Sequence, residues 1–121
     1  MSAIVIGLGG TCFCYIAVMV IKPKFGYDDS LDVFGVHGIA GTWGMIATGL
    51  FASASIGGVN GLFFGNPSQL FKQLVAVLVS YCFVAVMTFI ILMGLKVFGG
   101  LRVSLEDEVN GLDLALHGEA V

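Results

Sequence analysis

The chain has 121 residues, of which 58% are hydrophobic and 11% charged, with a net charge of −3. Soluble domains are nearer one quarter charged, so this composition, with a mean hydropathy of +1.03, argues against a soluble fold and for an all-α membrane protein. The acidic balance, with no basic patch interleaved with aromatics, argues against nucleic acid as a partner. Nor do the cysteines suggest a disulfide frame or a metal site: Cys12 and Cys14 lie two apart on one predicted helix, and Cys82 lies in another. An apolar-helix thiol is ordinarily a small packing residue. No cofactor, metal or enzymatic chemistry is expected.

Residues 1–21 carry no charge and are long enough to span a bilayer core, which takes about 20 apolar residues. The run starts without a polar leader, as expected of a piece of a larger protein. Residues 22–27, KPKFGY, form the first connection, where Pro23 and Gly26 are expected to break the helix. Basic residues resist translocation, so Lys22 and Lys24 put this connection on the cytoplasmic side.

The most informative stretch follows, DDSLDVFGVHGIAGTWGMIATGLFA from Asp28 to Ala52. Asp28, Asp29 and Ser30 are candidate caps for a helix start, and Asp32 is expected in the first turn, near the positive end of the helix dipole. The predicted span is about 30–53. His37 lies about 10 Å along the axis from Ser30, and an ionisable group at that depth is a functional-site candidate. A neutral imidazole donates from one nitrogen and accepts on the other, which suits a site that handles a small polar molecule or a proton; the bland alternative is a packing histidine bonded to a neighbouring helix. Gly35, Gly38, Gly41 and Gly44 recur every three residues, and small residues let helix backbones approach closely in a membrane. Phe34 and Trp43 are read as packing residues.

Residues 53–66 are uncharged and rich in Gly, Ser and Asn, as expected of an external loop. Asn66-Pro67-Ser68 opens a third span of about 68–97, apolar around its whole circumference. Lys72 near its start can reach the interface. Gly99-Gly100 closes that span. Three crossings put the tail on the same side as the first connection, and both carry the basic residues. In the tail, Ser104 is a candidate cap for a short acidic helix through Glu106, Asp107 and Glu108, stopped by Gly111.

DDSLDVFGVHG followed by GTWGMIATGLFA resembles the tenth membrane helix of the ammonium transporter family, and GLRVSLEDEVNGLDLALHGEAV resembles the cytoplasmic tail of its bacterial, archaeal and plant branch. The resemblance covers essentially the whole chain. It implies the last third of an eleven-helix transporter, with residues 1–99 as the C-terminal transmembrane part and 100–121 as the tail of a multi-pass protein of the cell membrane. It also implies ammonium or ammonia as the transported species and a homotrimer. His37 matches one member of a pair of pore histidines; its partner would come from the fifth helix, which this sequence lacks. Val33 would line the inner end of the pore and Asp32 would lie near the cytoplasmic vestibule. In the tail, Gly111, Asp113, His117 and Gly118 match a regulatory segment that touches PII-type signalling proteins in many prokaryotic members. Ala115 stands where plant members carry a phosphorylatable threonine. Two alternatives are an ammonium sensor of the same family and a structural three-helix membrane subunit. The remaining helices of the transporter are expected partners, and residues 1–121 alone are not expected to transport.

Overall fold

A computed structural model describes residues 2–119. Helices account for all of the regular structure among the described residues. The chain divides into two compact units, residues 1–81 and 82–121, with the division inside the longest helix.

Helix α1 runs Ser2–Phe25 and ends at Gly26, whose φ is +61°. It passes through residues expected to break it. Pro23 lacks an N–H and its ring would crowd the carbonyl four residues back. Immediately before it, Ala17–Ile21 forms a wide, π-type turn, and the Lys22 amide bonds the Ala17 carbonyl five residues back. The wider turn makes room for the proline, and the helix continues for one more turn. Lys22 and Lys24 are therefore helical residues, not loop residues.

Helix α2 covers 33–51, opening with a second wide turn over Phe34–Ile39 and continuing as Ala40–Phe51. A short helix α3, Ala54–Gly57, and a tight 3₁₀ turn, Leu62–Phe64, fill the connection to α4, Pro67–Phe98. Two helices, α1 and α4, are long and apolar enough to cross a membrane, with mean hydropathies of 2.4 and 2.7. At 1.5 Å per residue they extend about 36 and 48 Å, against a hydrocarbon core of about 30 Å.

Almost no side chain in the chain is fully enclosed: Ala17 and Ala47 are the buried apolar residues among those described. What lies between α1 and α2, and between α2 and the first part of α4, is mostly small. A Cβ on Gly9 would sit 2.7 Å from the Trp43 ring, and one on Gly35 would sit 2.8 Å from Val18 Cγ2. On the other side, a Cβ on Gly49 would come within 2.8 Å of Leu70 Cα. Trp43 spans the gap to α1, donating from Nε1 to the Ile6 carbonyl at 2.8 Å and lying 5.1 Å from the Phe13 ring. Toward α4, the Thr42 and Tyr81 hydroxyls are 2.8 Å apart, and Tyr81 also donates to the Gly38 carbonyl at 3.3 Å.

In the second unit α4 continues to Phe98, and helix α5, Leu105–Asn110, follows. Its cap is the predicted one: Ser104 Oγ accepts from the Asp107 amide at 3.1 Å, and Gly111 follows the last turn.

The backbone contact at Gly49 leaves no room for even one methyl. Gly49→Ala is expected to cost about 1–3 kcal/mol, the usual range for overpacking, read as a lower thermal midpoint of the purified protein. An unchanged midpoint would mean that α2 and α4 do not pack this closely.

Candidate functional site

The start of α2 differs from its sequence reading in one respect that matters. Asp32 is not in the first helical turn. It has φ +56°, the left-handed region that aspartate tolerates better than most residues. This corner turns the chain so that Asp29 supplies the cap. Its two carboxylate oxygens accept from the Val33 and Phe34 amides, each at 2.9 Å. Of the three capping candidates, Asp29 takes the role, and the helix begins about three residues later than expected. The Asp32 carboxylate is thereby free of the helix amides and pairs with Lys22 Nζ of α1 at 2.5 Å. The Asp32 carbonyl accepts from the Val36 amide at 2.9 Å.

His37 lies in the middle of the wide turn, Phe34–Ile39. Such turns open the backbone ladder and recur at functional sites. The turn is held from α1 by the Cys14 thiol, 3.7 Å from the Val36 carbonyl, and Phe34 packs edge-on to Tyr27 at 6.0 Å. His37 itself is exposed, and no hydrogen bond reaches its imidazole from the described residues. The other polar side chains of α2 are satisfied. Thr42 and Thr48 bond the carbonyls four residues back, Gly38 and Gly44, at 2.7 and 2.8 Å, and Trp43 bonds Ile6.

The four glycines do not share a face. A step of three residues is about 300°, so the series moves back about 60° each time and ends half a turn from where it began. Gly35 meets α1; a Cβ on Gly38 would meet the Phe34 ring first; one on Gly41 or Gly44 would have nothing within 4 Å among the described residues. Val33 is half exposed at 50% and precedes His37 by one turn. The open side of α2 thus carries His37, Gly41 and Gly44.

Phe34 and Trp43 are packing residues, as expected. The sequence reading missed Lys22 as the partner of Asp32, and Tyr81 as the partner of Thr42. Lys22 was legible only as a basic residue near a helix end. Tyr81 lay in a run where aromatics are common.

In the tail, Gly111 and Gly118 have φ of +88° and +69° and bracket a π-type turn, Asp113–His117. Those are backbone conformations that side-chain-bearing residues rarely adopt. The Asp113 carbonyl accepts from the Gly118 and Glu119 amides. Upstream, Arg102 grips Glu108 through two bonds, Nε to Oε1 at 2.6 Å and Nη2 to Oε2 at 2.9 Å.

The sequence profile of the Ammonium Transporter Family matches residues 1–121. The chain belongs to the ammonium transporter family. It is 50% identical over 120 residues to an ammonium transporter of Bacillus subtilis, covering 98% of this chain and 30% of that protein. It is 47% identical over 118 residues to one of Aquifex aeolicus, covering 98% of this chain and 28% of the relative. A third, from Mycobacterium tuberculosis, is 34% identical over 128 residues, with 99% and 27% covered. The chain therefore spans about 30% of the length of these relatives. Together with the two apolar helices, family membership makes this a membrane protein of a transporter family.

The Arg102 guanidinium bonded to Glu108 holds that carboxyl below its ordinary value of 4.5. A depressed folded pKa contributes stability that is present above the unfolded value and is lost as pH falls through the folded one. The carbon chemical shifts of Leu105–Asn110 in the intact protein are expected to stay helical at neutral pH and move toward coil as pH drops below 4.5. Glu108→Gln should remove that step. A step that persists in the variant would assign it to another group.

Proposed function

We propose that this chain is the C-terminal part of an ammonium or ammonia transporter and that His37 is one of its pore histidines. The observation that carries this is the contrast within α2. Every other polar side chain of that helix is bonded inside the chain, while the single ionisable one is exposed, on the side where a Cβ added at Gly41 or Gly44 would have no atom of the described residues within 4 Å. A side chain left so in an apolar environment is costly, and a partner or pathway on that side would offset the cost.

In this reading α1, α2 and α4 are three spans of an eleven-helix, all-α fold. Residues 1–99 form the membrane part and 100–121 a cytoplasmic tail. Gly41 and Gly44 give the other helices of the transporter room to approach His37. Val33 lines the inner end of the path and Asp32 stands near its mouth. Apolar walls make the charged ion expensive and the neutral molecule cheap. An imidazole that ionises near neutral pH can pass a proton or hold ammonia through one hydrogen bond. The partner imidazole would come from a helix outside residues 1–121. A trimer in the cell membrane and a PII-type protein at the Gly111–Gly118 segment complete the proposal. They are supported by the family and by the ordered turn that the two glycines bracket.

Replacing His37 by Ala in the intact protein is expected to lower ammonium uptake at least about a hundredfold, the lower end for loss of a proton-handling group, with assembly unchanged. Unchanged uptake with normal assembly would sink the proposal. Loss of assembled protein would make His37 a packing residue, and retained uptake with lost ammonium signalling would favour a sensor. Liposomes holding residues 1–121 alone should give no ammonium-dependent current; a measurable current would show that this segment encloses a path by itself.

A further inference from the structure

Among the described residues, Lys22 and Asp32 form the ion pair that joins α1 to the start of the His37 helix. We propose that this pair is a positioning latch: it holds the left-handed corner at Asp32 and thereby sets where the wide turn bearing His37 begins. The inference rests on the reading of His37 as a pore residue but concerns a different pair of groups.

Three observations support it. Asp32 has the sole positive φ among the described non-glycine residues, and strained backbone of this kind persists where surrounding contacts hold it. The Asp32 carbonyl starts the backbone ladder of the wide turn by accepting from Val36, the residue before His37. Lys22 is itself fixed, because the wide turn over Ala17–Ile21 carries α1 past Pro23 and sets Lys22 at its end. Each partner is about a quarter to a third exposed, with side-chain values of 27% and 33%. The pair is thus partly screened, and its worth lies in placement more than in overall stability. Asp29 cannot substitute for Asp32, because both its oxygens are taken by the Val33 and Phe34 amides. Lys24, the neighbouring cation, is exposed and has no bond to Asp32 among those described.

The arrangement also separates two roles that a carboxylate near a pore mouth could have. A free carboxylate would attract a cation such as ammonium. One already bonded to an ammonium side chain has its charge offset and one oxygen occupied. Lys22 thus makes Asp32 a fixed corner instead of a binding site. Five residues, about 8 Å along the helix, separate that corner from His37, so a change at the corner is felt at the imidazole as a shift in depth and rotation.

The test uses the intact protein with Lys22→Met, Asp32→Asn and the double variant. Methionine keeps the helix and the stem of lysine, and asparagine tolerates the left-handed corner. Amide hydrogen exchange across residues 33–37 and ammonium uptake are read together, with the amount of assembled protein as the control. Each single variant is expected to speed exchange across 33–37 and to lower maximal uptake about fivefold, the scale of a partly exposed pair. The concentration for half-maximal uptake should move less than about twofold, since KM reports ground-state binding. The double variant should be no worse than the worse single one, because both remove the same interaction. Unchanged exchange in Lys22→Met overturns the latch whatever the uptake does. So does loss of uptake in Asp32→Asn with full uptake in Lys22→Met, which would make Asp32 a cation site independent of Lys22. Strictly additive losses overturn it as well. His37→Ala measured alongside keeps the two proposals apart. Uptake that depends on His37 but ignores Lys22 and Asp32 ends the latch alone. Uptake indifferent to His37 ends the pore reading, and the exchange data still decide the latch.

Discussion

The backbone of α2 lies against two apolar helices, and that close approach governs the rest of the structure. With no water to exclude inside a membrane, helices are held by dispersion contacts and by hydrogen bonds across short gaps. Both need the backbones to come near. Gly9 admits the Trp43 ring, Gly35 admits Val18, and Gly49 admits the backbone of α4 at Leu70. Once those gaps are closed, the Trp43 indole reaches the Ile6 carbonyl and Thr42 reaches Tyr81. These bonds depend on the glycine contacts: a bulkier residue at Gly9 would displace the same ring whose nitrogen makes the bond to α1.

The same economy of partners isolates His37. Threonine hydroxyls satisfy themselves on carbonyls one turn back, at Thr11, Thr42 and Thr48 alike, so they tolerate an apolar helix without outside help. An imidazole is too rigid and too far from its own backbone to do so. No hydrogen bond reaches it from the described residues. Both sides of α2 that carry hydrogen bonds to neighbours are used for packing, and His37 lies on neither.

The helices were legible in the sequence because membrane helices announce themselves by uncharged length, and His37 stood out as the single ionisable residue within such a run. The extent of α4, the Ser104 cap and the packing roles of Phe34 and Trp43 follow from local chemistry and are found where that chemistry puts them. What was hidden depends on backbone detail. Pro23 reads as a breaker, yet a π-type turn before it keeps the helix going and carries Lys22 into reach of Asp32. Two aspartates three residues apart are equivalent as letters; only the left-handed φ at Asp32 decides that Asp29 caps the helix and Asp32 does not. Glycines at a spacing of three look like one stripe, but helical geometry spreads them over half a turn.

The two wide turns belong to one arrangement. The turn in α1 ends at Ile21, just before Lys22, and the turn in α2 begins at Phe34, just after Asp32. Each spreads a turn over more residues than a regular helix does, which changes the direction in which the following side chains leave the helix. Ala17, the first residue of the α1 turn, is one of the two buried apolar residues among those described, and its Cβ lies beside Gly35 of the α2 turn. The turns therefore meet across the α1–α2 interface. Widening one alone would misalign either the small residues that touch or the charges that pair at the adjoining helix ends. Widened together, they let the glycine contact, the Cys14 thiol at the Val36 carbonyl and the Lys22–Asp32 pair be made at once. All three hold the turn from the α1 side, so among the described residues the backbone of that turn, and no hydrogen bond to the ring, places His37.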